Sequence, residues 1–159
     1  MDIVIQVNGM EELIKKCNDP ALIGEPMRGF FEQSTLLIND NVRMLTPVDR
    51  DTLRGSIKKT VDVSPMPMWG KVDTNRIYAE YVEEDTKPHW IGKNTAAGQA
   101  IALWARRHGI SAYLVRRKIG LFGTKGKHMF LRGAQNSMSS IEGFLKQAAE
   151  AIEERWGAK

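Results

Sequence analysis

The tightest constraint on folding lies near the C-terminus, where Ala134, Met138, Ile141, Leu145, Ala148, Ile152 and Trp156 step by three or four residues. Glu142, Lys146, Glu150 and Glu153 fall off that stripe, so the segment predicts an amphipathic helix that must bury one face. A helix of this kind draws most of its stability from packing, and the sequence offers it a partner. Across residues 27–45 a second stripe of Met27, Phe30, Phe31, Leu37, Ile38, Val42 and Leu45 recurs at near-helical spacing, with Asn39, Asp40 and Arg43 largely opposite. Gly24-Glu25-Pro26 breaks the chain ahead of this helix and sets proline in its first turn. Pro47 disfavours helical geometry at Thr46 and ends it.

Shorter elements fill the space between. Ile3-Val4-Ile5-Gln6-Val7 predicts a strand closed by the turn Asn8-Gly9. A small helix over residues 10–17 follows and is broken at Asn18-Asp19-Pro20. Asp49 is placed to cap a single turn over residues 50–54. Beyond Gly55 the period changes to two: Ile57, Val61 and Val63 point one way, and Lys58, Thr60 and Asp62 the other. Ser64-Pro65-Met66-Pro67 reads as a turn and residues 69–73 as the returning antiparallel strand. Residues 78–83 fit a short strand and a helical turn equally, and His89-Trp90-Ile91 reads as an extension of the sheet.

Two further helices are predicted, over residues 97–108, with Ala97, Ile101, Trp104 and Ala105 on one stripe, and over residues 112–119. Gly109 and Gly120 stop them. Residues 121–127 have no periodicity and read as an exposed flexible loop. The sum is one α+β domain over residues 1–159: a small, mostly antiparallel sheet packed against a long helix in the N-terminal half and a long C-terminal helix.

With 159 residues and 42% hydrophobic content, the chain can build one sizeable core. No stretch reaches the roughly 18 consecutive apolar residues of a membrane span. The start, Met1-Asp2-Ile3-Val4, lacks the basic and apolar run of a signal peptide. Cys17 is the only cysteine, which excludes an internal disulfide and a cysteine-built zinc site; it is expected as a buried thiol. His89, His108 and His128 are far apart, and none has a second ligand at helical spacing. There is no G-x-S-x-G elbow and no phosphate-cradling glycine loop. No catalytic residue and no cofactor are expected.

Two charged groups remain. Glu83-Glu84-Asp85 is the one dense carboxylate cluster. Adjacent strand residues face opposite ways, which favours a solvated corner or an acidic edge for a basic partner over a metal-dependent hydrolase site. Arg106-Arg107, Arg116-Arg117-Lys118, Lys125 and Lys127 would bind phosphates if gathered on one face, which makes a DNA-binding module over residues 106–127 the alternative function. Helix ends offer the first two groups a simpler role, complementing the negative end of the dipole.

Three stretches, in order, resemble the tail-completion, or neck, protein family of long-tailed double-stranded DNA bacteriophages. Thr46-Pro47-Val48-Asp49-Arg50-Asp51-Thr52-Leu53-Arg54-Gly55-Ser56-Ile57 is similar to A-P-V-D-T-G-x-L-R-x-S-I. Tyr78-Ala79-Glu80-Tyr81-Val82-Glu83-Glu84-Asp85-Thr86 is similar to Y-A-x-Y-V-E-x-G-T. Gly123-Thr124-Lys125-Gly126-Lys127-His128-Met129-Phe130-Leu131-Arg132-Gly133-Ala134 is similar to G-T-x-x-x-x-P-F-L-x-x-A. The family glycines fall at Asp51 and Asp85 and the family proline at Met129; aspartate tolerates positive φ, so both turns can survive, and a different local geometry is equally open.

The resemblance implies a structural virion protein at the head-tail joint, present in host cytoplasm during assembly. It implies a ring, sixfold in the virion, of copies that contact the portal or connector and the tail-tube or tail-terminator proteins. DNA would pass through the lumen without sequence-specific binding, and no membrane is involved. Pro47, Asp49, Asp51, Leu53 and Arg54 would form the structural turn. Subunit or partner contacts are expected at Glu83, Glu84, Asp85, Lys87, Gly123, Lys125 and Lys127, because exposed loops adapt to a partner where helices cannot.

Overall fold

The computed structural model of the chain describes residues 9–17, 19–49, 52–63 and 67–157, so the strand expected at residues 3–7 lies outside the described residues. In chain order the elements are α1 (Met10–Cys17), a π-helical turn (Pro20–Gly24), α2 (Glu25–Leu45), α3 (Thr52–Ser56), β1 (Ile57–Asp62), β2 (Trp69–Thr74), α4 (Ala79–Glu83), α5 (Ala96–Arg107), α6 (Ala112–Phe122) and α7 (Met129–Gly157). The fold is α+β, and its two long helices, α2 and α7, pack against each other and against the sheet. Contacts divide the chain into two compact units, Met1–Asn75 with Phe130–Lys159, and Arg76–Met129.

In the first unit the chain does not break at Gly24. The π-helical turn runs straight into α2, with Gly24 itself at helical φ −60° and ψ −45°. Asp19 starts the turn instead: its carbonyl accepts the N–H groups of Leu22 and Ile23, both at 3.1 Å, and its carboxylate accepts that of Ala21 at 2.9 Å. Glu25 and Pro26 occupy the first turn of α2. The helix ends at Thr46, extended at φ −71° and ψ 125°, as the following Pro47 dictates.

The buried side of α2 is not the stripe of largest side chains. Thr35, Asn39, Val42 and Thr46, spaced four, three and four apart, are its buried line, so Asn39 lies inside rather than opposite the core. The physical reason is that threonine can satisfy its hydroxyl within the helix. Thr35 Oγ1 donates to the Phe31 carbonyl at 2.7 Å and Thr46 Oγ1 to that of Val42 at 2.6 Å. Short side chains then let β1 and β2 lie close against this face.

β1 and β2 pair antiparallel from Ile57↔Thr74 to Asp62↔Trp69, as expected, while residues 64–66 of the expected turn lie outside the described residues. Ser56 and Thr74 join their hydroxyls at 2.6 Å at the Ile57 end of the pair. Arg54 Nη2 donates to the Thr46 carbonyl at 3.2 Å, while Leu53 is buried and Pro47 and Asp49 are exposed. Arg54 is thus tied to the end of α2; residues 50 and 51, Asp51 among them, lie outside the described residues.

α7 crosses α2 where side chains are small. Ser137 is fully buried; its hydroxyl donates to the Gly133 carbonyl at 2.7 Å and accepts from Asn41 Nδ2 at 2.8 Å. The far end of α7 is tied by Arg155, which donates to the Ala21 carbonyl and pairs with Glu25 at 3.0 Å. Lys16 lies over the Trp156 ring at 5.3 Å. That contact turns the Lys16 side of α1 inward and leaves Cys17 exposed, not buried as expected.

In the second unit the ambiguous residues 78–83 resolve as a helix, α4, and residues 89–91 are irregular rather than a strand. Thr95 caps α5, its hydroxyl accepting the Gly98 N–H at 3.1 Å. Gly98 and Ala105 are the buried residues of α5; Ala97 is exposed. Gly120 does not stop α6. It lies buried within the helix, where a Cβ would come within 2.6 Å of the Trp90 indole, and is there to admit that ring. The helix stops at Gly123, whose φ of 70° and ψ of −161° belong to a region open almost only to glycine.

Candidate functional site

The residues expected at partner contacts come from two segments far apart in sequence, and the second unit brings them side by side. Thr86 and Thr124 form an isolated antiparallel bridge. The Thr86 N–H donates to the Thr124 carbonyl at 2.9 Å, the Thr124 N–H to Thr86 Oγ1 at 3.0 Å, and the hydroxyls meet at 2.7 Å. On one side of the bridge the N–H of Lys127 reaches the Val82 carbonyl at 2.7 Å and that of His128 the Glu83 carbonyl at 3.1 Å.

Such closeness depends on two missing side chains. A Cβ at Gly123 would overlap the Thr86 carbonyl oxygen, and one at Gly126 would overlap that of Glu83. Residues 121–127 are therefore not one open loop. Leu121 and Phe122 complete α6, and residues 123–128 are bonded along residues 82–86.

Of the two geometries open to Asp85, the structure shows the one without positive φ. The Asp85 carboxylate accepts the Gly126 N–H at 2.7 Å and lies 3.5 Å from His128 Nε2. Among the described residues His128 is the one non-glycine with positive φ, at 49°, a conformation that histidine enters more readily than most residues. Met129, where the resemblance sets a proline, is fully buried and opens α7.

Around this pairing Glu84, Lys87, Lys125 and Lys127 are exposed. Beside it lies an open cleft of about 820 Å³, whose walls include Tyr81, Lys87, His89, Trp90, Ile119 and Thr124. The Asp85 carboxylate is engaged with backbone, and among the described residues no three His, Cys, Asp or Glu side chains gather as metal ligands would. What the surface offers is hydrogen-bonding edges, cations and exposed aromatic faces, which suit recognition.

The uneven placement of charge within the second unit is the feature that whole-chain composition hides. From Thr86 to Met129 the sequence carries nine Lys and Arg residues and no Asp or Glu. Counting by compact unit gives ten Lys and Arg residues against Glu80, Glu83, Glu84 and Asp85, an excess that the net charge of +4 over the whole chain does not reveal. Arg106 and Arg107 do sit in the last turn of α5, where the helix dipole favours them. Arg116, Arg117 and Lys118 do not, because α6 continues to Phe122 and its last turn holds no cation. Dipole complementation therefore does not explain that group.

Helical geometry decides where α6 sends these residues. Ala112, Val115, Arg116 and Ile119 are half-buried with Gly120 buried, which turns Tyr113, Leu114, Arg117, Lys118 and Leu121 outward together. Cations and large apolar groups alternate on that face. Among the described residues no helix is long and apolar enough to cross a membrane. No protein-family model, curated protein or solved structure matches the chain.

Proposed function

We propose that the chain is a structural subunit, not an enzyme, that forms a ring at the head-tail joint of a long-tailed bacteriophage. Its partners would be other copies of itself, the portal or connector, and the tail-tube or tail-terminator protein, with DNA passing through the lumen. One observation carries this reading. Two of the stretches that resemble the tail-completion family are remote in sequence, yet they pair through Thr86 and Thr124 and fit only because Gly123 and Gly126 lack side chains. A shared pair of motifs that interlock in space supports a shared framework, and the framework ends in exposed charge suited to partners.

The test is a null mutant of the gene in its phage or prophage, examined by electron microscopy. The expected lysate holds DNA-filled heads and finished tails lying apart, and complementation in trans joins them. Joined particles in the null mutant overturn the reading.

A second reading is favoured by the carboxylate-free run, which sets seven cations between residues 106 and 127: a DNA-binding module on residues 106–127. Phosphate contacts release counterions, so affinity for a duplex measured by fluorescence polarisation would fall steeply with salt. A flat dependence removes that reading.

A further inference from the structure

α7 carries more apolar surface than its own fold covers. Gly133, Ser137 and Ala148 mark its buried side, while Met138 and Leu145 remain 54% and 49% exposed. Met138, Glu142, Leu145, Ala149 and Glu153 are all exposed and step by four, three, four and four residues, so they share one face. That face carries three apolar and two acidic groups. α6 presents the reverse: Leu114 and Leu121, 58% and 49% exposed, flank Arg117 and Lys118, with Tyr113 alongside.

The two faces fit different partners badly and each other well. A duplex would use the cations of α6 but would leave its leucines against water, since phosphates offer them nothing. Pairing α6 with α6 would set cation against cation, and pairing α7 with α7 would set carboxylate against carboxylate, both repulsive. Only α6 against α7 brings leucine onto leucine or methionine with opposite charges at the rim, as protein interfaces prefer.

We infer that α6 of one copy docks on α7 of the next, with Arg117 and Lys118 facing Glu142 and Glu153 around Leu114, Leu121, Met138 and Leu145. The contact is heterologous: each copy has one of each face, so the association propagates head to tail and closes where the rotation permits. It supplies the subunit contact of the ring proposed above and rests on that reading for its closure. The contact itself is a property of free copies in solution.

Charge reversal tests it on the full-length protein. R117E/K118E makes both faces acidic, and E142K/E153K makes both basic. Sedimentation equilibrium would cover about 10 µM to about 1 mM, the range in which weak contacts are populated. Wild type should associate, less so at high salt. Each variant alone should lose at least about tenfold in association constant, while an equimolar mixture regains it, because every α6–α7 contact is then between opposite charges. M138A/L145A should weaken association without any charge change. Circular dichroism and the recovery in the mixture exclude misfolding.

Wild type that stays monomeric across the range overturns the inference, as does a mixture that fails to regain association. Variants that associate like wild type also overturn it, yet leave the ring reading standing on another surface. If R117E/K118E abolishes duplex binding with association unchanged, the α6 face belongs to nucleic acid and the inference falls. A null mutant with joined particles removes the virion reading and leaves this contact measurable in solution.

Discussion

Asp85 and Gly126 are separated by 41 positions, yet the Asp85 carboxylate accepts the Gly126 backbone N–H at 2.7 Å. The bond anchors residues 123–128 from the outer side of the Thr86–Thr124 bridge. A charged acceptor on a backbone donor is among the stronger hydrogen bonds, though this one faces solvent.

Asp85→Ala removes that acceptor and should destabilise the protein by about 1 kcal/mol. Asp85→Asn keeps an acceptor oxygen and should lose less than half as much. Urea denaturation followed by circular dichroism separates the two variants. Equal loss in both would mean that the carboxylate acts through its charge alone.

Gly123 faces a harsher test, because its backbone lies in a region that side chains do not enter and because a Cβ would overlap the Thr86 carbonyl. Gly123→Ala should therefore be destabilising by about 3 kcal/mol, combining backbone strain and displacement of residue 86. Gly109, at φ 66° with open space around it, should lose only about 1 kcal/mol on the same change. Thermal melts of the two alanine variants give the comparison directly.

Amide hydrogen exchange reads the same pairing without mutation. The N–H groups of Thr86, Lys127 and His128 donate to carbonyls of the facing segment and should exchange slowly and together, as one cooperative unit. Exchange at the rate of an unstructured chain at Lys127 would show that residues 123–128 are not held against residues 82–86.

Much of the fold was legible because its signals are local. The bounds of α1, the length of α2 up to Thr46, the hairpin at Ile57↔Thr74 and the long α7 all follow from periodicity and proline placement within a few residues. Which face of a helix turns inward was less legible. Thr35 and Thr46 are more deeply buried than the half-buried Phe31, Ile38 and Leu45 of α2, since a hydroxyl bonded within its own helix can be buried cheaply. Gly120 reads as a helix stop in sequence and acts as a seat for Trp90, thirty residues away, which no local rule detects. For the candidate site, the exposed ends Lys87, Lys125 and Lys127 were named from sequence. That their segments are bonded to each other was not, because the bridge joins residues 38 positions apart.

Ser137 offers a test of the helix crossing. Ser137→Ala leaves the Asn41 amide without its acceptor and should be destabilising by about 1 to 2 kcal/mol. Ser137→Leu forces a large side chain into a fully buried position and should lose about 3 kcal/mol. Denaturant midpoints at unchanged slope would assign both effects to stability and not to a change in compactness.

The division of the chain has a topological consequence. The polypeptide leaves the first unit after Asn75 and re-enters it at Phe130, so the second unit is an insertion and not an appendage. If residues 76–129 unfold while the rest stays folded, the first unit must hold together the ends of a 54-residue loop. The entropy of closing such a loop is about 3.5 kcal/mol before any constant. The inserted unit thereby acts as a splint on its host: its melting opens a loop that the first unit must close, which taxes the stability of β2 before it and α7 after it.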